Sequence, residues 1–178
     1  MVGSVLFPWH PSTGTTVAVP NGTQFLILTS GCGQTLSALY LQVSATLLTG
    51  SQAITVDAYT DGSDGGPTSR LWSQSVTIGT STGVFASTGL SLALPSGPYW
   101  LAVTNPSTNA GSVTFRSATP VYGRVGSVNN TSWHNVHSVT SLSSSPSDLS
   151  SYKFRAGSTS SVINLEAATS FPMVMGLV

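Results

Sequence analysis

Charge is what this sequence has least of. Five Lys or Arg and five Asp or Glu make up 6% of 178 residues, and they cancel, whereas an average domain is about 25% charged. A solitary soluble domain keeps its neighbours away with a surface of mixed charge. A chain whose polar residues are mainly Ser, Thr, Asn, Gln and Gly is therefore either part of an assembly or very tightly folded, and the assembly, with its flanks covered, is the favoured reading. With a formal net charge of zero and a pI near 6.8, there is no basic footprint for DNA or RNA and none for an anionic membrane.

Cysteine is nearly absent too. Cys32 stands alone, which excludes an intrachain disulfide and a thiolate metal site within one chain. It lies between Gly31 and Gly33 with no Lys, Arg or His beside it, so nothing local lowers its pKa. It reads as a passive thiol, with the tendency of free cysteines to be buried. Long apolar runs are also missing. Residues 25–48 come closest, but Thr29-Ser-Gly-Cys-Gly-Gln-Thr35 interrupts them, so no bilayer-spanning segment is expected. The N-terminal Met1-Val-Gly-Ser-Val-Leu-Phe-Pro-Trp9 has neither the basic start nor the long apolar stretch of a secretory signal, and synthesis in the cytoplasm is expected.

What remains, once helix signals are found to be scarce, is a β pattern. At 40% hydrophobic residues the chain can build a core. Short β-branched, alternating runs recur between Gly, Pro, Asn and Asp, predicting strands over 15–19, 24–29, 36–47, 53–60, 71–78, 84–94, 97–104 and 113–117, with weaker ones over 152–155 and 172–177. In Ile54-Thr-Val-Asp-Ala-Tyr59, Ile54, Val56 and Ala58 share one face and Thr55, Asp57 and Tyr59 the other, the period of a half-buried strand. Tyr99-Trp-Leu-Ala-Val103 is denser and reads as central, with Trp100 in the core and Tyr99 or Leu101 on the opposite side. Asp61-Gly-Ser-Asp-Gly-Gly-Pro67 and Pro95-Ser-Gly-Pro98 read as turns. The spacing predicts a single all-β domain over 1–178, an antiparallel β-sandwich. It has an N-terminal arm over about 1–14 and a Ser-rich segment over about 138–151 that is either a long surface loop or an extended crossover.

Four stretches together resemble a jelly-roll-like β-sandwich domain that recurs in bacteriophage virion proteins of the tail-fibre, minor-tail and decoration type. They are Val56-Asp-Ala-Tyr-Thr-Asp-Gly-Ser-Asp-Gly-Gly-Pro67, Gly79-Thr-Ser-Thr-Gly83, Leu94-Pro-Ser-Gly-Pro-Tyr-Trp-Leu-Ala-Val103 and Phe171-Pro-Met-Val-Met-Gly-Leu-Val178. They match a "DxxGgP" loop, a "stxG" turn, an "LppGxYWLAV" strand and an "fPxvxLrv" close, in that order. Residues 122–161 depart from the pattern. The resemblance implies a non-enzymatic structural protein on the virion surface: a capsid decoration, head fibre or tail-associated subunit. Such a subunit contacts copies of itself, often as a trimer, and other virion proteins such as capsid or tail. It would be made in the cytoplasm of a bacterial host.

The residues that carry chemistry are few. Asp57, Asp61 and Asp64, with loop carbonyls, supply hard oxygen ligands for a Ca²⁺ ion, although the alternate spacing and closing Glu of an EF-hand are missing; the plainer reading is a turn, and no other cofactor is expected. Trp133-His-Asn-Val-His137 sets two of the three histidines three residues apart, which on a strand puts them on opposite faces and argues against joint metal ligation. Carboxylates outside the loop cluster are limited to Asp148 and Glu166, too thin a supply for paired acid–base work on a glycan. No G-x-S-x-G elbow is present, and no enzyme is expected. The rival reading is a receptor- or carbohydrate-binding, lectin-like module for a host surface glycan. Its contact residues would be Trp133, His134, Asn130 and Tyr122, an aromatic among hydrogen-bonding neighbours. The sequons at Asn21, Asn129 and Asn130 read as turn chemistry.

Overall fold

A computed structural model describes residues 4–6, 9–46, 49–63, 66–120, 136–153, 163–164, 166–168 and 171–178. The strands are β1 (Ser4–Leu6), β2 (Trp9–Val19), β3 (Thr23–Cys32), β4 (Thr35–Thr46), β5 (Gln52–Asp61), β6 (Pro67–Ile78), β7 (Gly83–Ala93), β8 (Ser96–Asn105), β9 (Val113–Pro120), β10 (Val136–Val139), β11 (Tyr152–Lys153), β12 (Ile163–Asn164), β13 (Glu166–Ala168), β14 (Phe171–Pro172) and β15 (Val174–Leu177), and there is no helix among the described residues. Two antiparallel sheets pack face to face as a β-sandwich. One has six strands in the order β13-β10-β3-β8-β5-β6. The other has seven, with β4 at its centre: β7 runs along one side of β4, and β15 and β9 pair with its other side. Strands β1, β2 and β14 extend that sheet, and β11 and β12 form a separate parallel pair.

The core follows from alternation. Ile54, Val56 and Ala58 on β5, Phe25 and Ile27 on β3, and Tyr99, Leu101 and Val103 on β8 point inward from the six-stranded sheet. They meet Leu36, Leu39, Leu41 and Val43 on β4, Val113 and Phe115 on β9 and Val17 and Val19 on β2. Each large apolar side chain so buried contributes about 1.5–3 kcal/mol. At the side where β6 and β7 meet, the two layers are tied by polar side chains: Trp72 Nε1 donates to Ala93 O at 3.0 Å and Gln74 Nε2 to Ser87 Oγ at 3.0 Å.

Strands β4 and β7 sit one residue before their predicted bounds, β5 and β8 run one residue past them at each end, and β3, β6 and β9 are longer by three or four residues, because cross-strand bonding carries a ladder past the last apolar residue. The expected N-terminal arm is partly strand: β1 pairs with β15, and β2 begins at Trp9 opposite Pro120 of β9. Cys32 is exposed rather than buried, since it ends β3 beside the turn at Gly33. Trp100 is buried as expected, but on the face opposite Tyr99 and Leu101, outside the inter-sheet core.

Candidate functional site

That opposite face has a roof of its own. On the outer side of the six-stranded sheet, cross-strand register sets Gln24 opposite Thr104, Leu26 opposite Ala102 and Leu28 opposite Trp100, with Asp57 opposite Ala102 and Tyr59 opposite Trp100 on the next strand. A sheet face with this much apolar surface needs cover. The Ser-rich segment supplies it. Residues 140–150 cross the face from β3 towards β6, and Leu142 and Leu149 drop onto Leu26, Tyr59, Trp100 and Ala102 to form a second buried cluster.

Backbone bonds fasten both ends of this strap. Leu142 N–H donates to Gly22 O at 2.8 Å, and Leu142 O accepts from Ser107 N–H at 2.9 Å. At the other end Arg70 N–H donates to Ser147 O and Leu149 N–H to Thr68 O, both at 3.0 Å, beside a single antiparallel bridge between Ser69 and Asp148. Ser141 takes a positive φ of 65°, a conformation uncommon outside Gly, Asn and Asp, one residue before the first anchor.

Between the anchors lies a polar cluster. Ser145 Oγ donates to Asp57 Oδ2 at 2.7 Å and lies 2.9 Å from the Tyr59 hydroxyl, which donates to Pro146 O at 2.8 Å. Gln24 Nε2 reaches Thr104 Oγ1 at 2.9 Å, Tyr59 OH at 3.2 Å and Ser145 Oγ at 3.3 Å. Arg70 Nη1 donates to Ser145 O at 3.2 Å and stands 3.8 Å from Asp57 Oδ1, close enough for Coulomb attraction and too far for a hydrogen bond. Asp57 and Gln24 are fully buried, and Asp57 Oδ1 and Gln24 Oε1 have no hydrogen-bond partner among the described residues.

The electrostatics follow from that burial. Removal from water pushes the Asp57 carboxyl above the usual carboxylate range, against the hydroxyl of Ser145, the hydroxyl of Ser73, the Arg70 guanidinium and the hydroxyl of Thr104, all of which hold it down. Burial, and secondly the Asp57 charge, push the Tyr59 phenol well up, so it stays a donor at any ordinary pH. Asp148, fully exposed on the strap, is held low by the backbone N–H of Ser150.

Of the three candidate Ca²⁺ ligands, two lie in the described residues, Asp57 and Asp61 on β5. Asp57 is committed to the strap, and Asp61 accepts the Trp100 indole N–H at 2.8 Å. Asp64 lies outside the described residues; among the described residues no group of three or more His, Cys, Asp or Glu side chains forms a metal site. The candidate glycan contacts Trp133, His134, Asn130 and Tyr122 all lie outside the described residues. His137 falls in β10 opposite Leu26, and Glu166 in β13 opposite Ser138. Sequence reasoning passed over Gln24, Thr104, Arg70 and Ser145. The signal that could have found them is the pair Leu142 and Leu149, seven residues apart in an otherwise serine-dominated run, which marks a segment with something to bury.

No protein-family model matches the chain, and no curated protein matches it either. Among the described residues no helix is long and apolar enough to cross a membrane.

Proposed function

We propose that this chain is a non-enzymatic structural subunit on the surface of a bacteriophage particle, working through contacts of its neutral surfaces with copies of itself and with other virion proteins. The observation that carries this reading is the outer face of the seven-stranded sheet, since the strap covers the middle of the six-stranded one. Arg116 is the sole Asp, Glu, Lys or Arg in its strands. Val84 is 57% exposed; Ala86 and Thr88 are exposed beside it, and Tyr40, Gln42 and Met175 are part-exposed. The two serine hydroxyls on β4 are spent on backbone: Ser37 Oγ donates to Leu177 O and Ser44 Oγ to Thr114 O, both at 3.1 Å. A face with so little charge loses little hydration when another protein covers it. The four stretches that resemble phage virion domains supply the kind of particle. Capsid decoration, head fibre and tail-associated subunit are equal forms of the reading.

Native mass measurement tests it. The expected result is a self-associated species, a trimer by the resemblance. Gln42→Lys with Ala86→Lys, two surface changes placing like charges on one face, should shift that species to monomer while the midpoint of chemical unfolding of the monomer barely moves. A wild-type chain that stays monomeric at high concentration and binds a glycan array, with binding lost in Trp133→Ala, would overturn the proposal in favour of a receptor-binding module.

A further inference from the structure

The strap closes over a carboxyl group whose needs it only half meets. Asp57 is 0% exposed. When ionised, its Oδ2 is satisfied by Ser145, while its Oδ1 finds no hydrogen-bond partner of good geometry among the described residues, with the Ser73 and Thr104 hydroxyls only nearby. The one cation near it among the described residues, Arg70, is itself partly solvated, with 29% of its side chain exposed, and spends its Nη1 hydrogen bond on Ser145 O instead. A buried carboxylate left short of partners is costly, and the charge is relieved either by a proton or by water. Water can reach it only if the strap lifts. Ser145 and Pro146, which roof the carboxyl, are held from outside by four backbone bonds and two leucines, a small set next to the full ladders of the sheet beneath.

We propose that residues 141–149 form a latch over the six-stranded sheet, favoured in its closed position by a proton on Asp57 and weakened when that carboxyl ionises. The inference does not depend on the particle reading.

Every group facing Asp57 bears on the sign. From β5 itself, Tyr59 stays protonated and keeps donating to Pro146 O, while Asp61 is engaged by Trp100. From β6 come Arg70, positive throughout, and the Ser73 hydroxyl. Strands β3 and β8 bring only Gln24, Trp100 and Thr104, none of which titrates. The strap brings Ser145, with Asp148 exposed and ionised in the relevant range. Strand β10, beyond β3, carries His137, whose side chain lies outside the described residues. Because closure raises the Asp57 pKa, the closed latch binds the proton more tightly than the open one. Closure is therefore strongest below the open-state carboxyl pKa and is progressively lost as pH rises through the closed-state value, after which it levels off.

Hydrogen exchange of the full chain, corrected for the intrinsic pH dependence of amide exchange, reads this directly. The Leu149 and Arg70 amides should lose protection as pH rises from about 4, by about tenfold for each pKa unit by which closure raises Asp57, while core amides of β3 and β8 stay level. Asp57→Asn keeps an acceptor for Ser145 without the charge, and should hold its protection flat across the same range. Ser145→Ala removes the best partner of the ionised form, and should enlarge the loss and extend it to higher pH. Wild-type protection that is flat with pH, or that falls equally in Asp57→Asn, overturns the proposal. So does a Ser145→Ala profile identical to wild type, which keeps the test decisive if Asp57→Asn fails to fold.

Discussion

Trp100→Ala should lower the stability of the fold by about 3–5 kcal/mol, the range for emptying a large aromatic from a packed interior. The side chain is 2% exposed and sits among Leu26, Tyr59, Ala102, Leu142 and Leu149. Its loss leaves a hole that neither the sheet nor a strap fixed at both ends can readily fill. Two contributions separate by design. Trp100→Phe keeps most of the apolar contact, gives up part of the ring volume and loses the indole N–H to Asp61; with Asp61 part-exposed, so that water can take over the bond, about 1–2 kcal/mol is expected. Equilibrium unfolding in urea measures both. Near-equal losses for the two variants would place the importance of Trp100 in its hydrogen bond and not in the layer under the strap. Exchange of the Leu142 amide gives a second readout, since Trp100→Ala should loosen the strap selectively.

How legible this was in the sequence depends on which interactions were local. The alternation of Ile54, Val56 and Ala58 against Asp57 and Tyr59 is a property of six consecutive residues, and the inward set lies in the inter-sheet core as that period requires. What alternation cannot say is whether the other face meets water. Asp57 and Tyr59 read as the outward side of a half-buried strand, yet both are buried, because a segment some 90 positions along the chain lies on top of them. That segment was ambiguous for a physical reason. Serine has no strong conformational signature, and its hydroxyl bonds to whatever backbone is near, so composition alone leaves loop and crossover equal. The two leucines break the tie only when a sheet face is known to be waiting for them. In the same way Trp100 reads as interior, which it is, while the existence of two interiors is a consequence of topology that no short motif records.

The charge pattern carried further than any motif. Residues 71–115 contain no Asp, Glu, Lys or Arg, and the structure distributes that stretch over β7, β8 and most of β6. The acidic residues cluster instead at the end of β5 and in the loop after it. The six-stranded sheet thus keeps one charged pair, Asp57 with Arg70, under its strap. The seven-stranded sheet keeps almost nothing, and that asymmetry is why the two outer faces support different inferences.

A second large effect is expected at a residue with no side chain. Gly31, near the end of β3, lies under the carbonyl of Pro95, where the chain passes from β7 into β8; a Cβ built on Gly31 would stand 2.3 Å from Pro95 O and 3.2 Å from Tyr99 Cε1. Neither neighbour can move freely. Pro95 follows Leu94, which is buried and donates its N–H to Gln34 O at 2.7 Å, and Tyr99 is 1% exposed in the core. Gly31→Ala must therefore displace backbone, and about 3 kcal/mol of destabilisation is expected, the upper end for over-packing, after allowing for the smaller entropic gain of replacing glycine in the unfolded chain. Gly33→Ala is the control two residues on. There the new methyl has room, at 3.9 Å from Ser96 Cβ, but the backbone sits at φ +71°, so the loss should be about 1–2 kcal/mol and come from conformation alone. Urea unfolding of the two variants side by side decides the matter: a Gly31→Ala loss no larger than that of Gly33→Ala would mean that the Pro95 carbonyl does not press on β3, and that the β7–β8 connection is free to move away from the end of the sandwich.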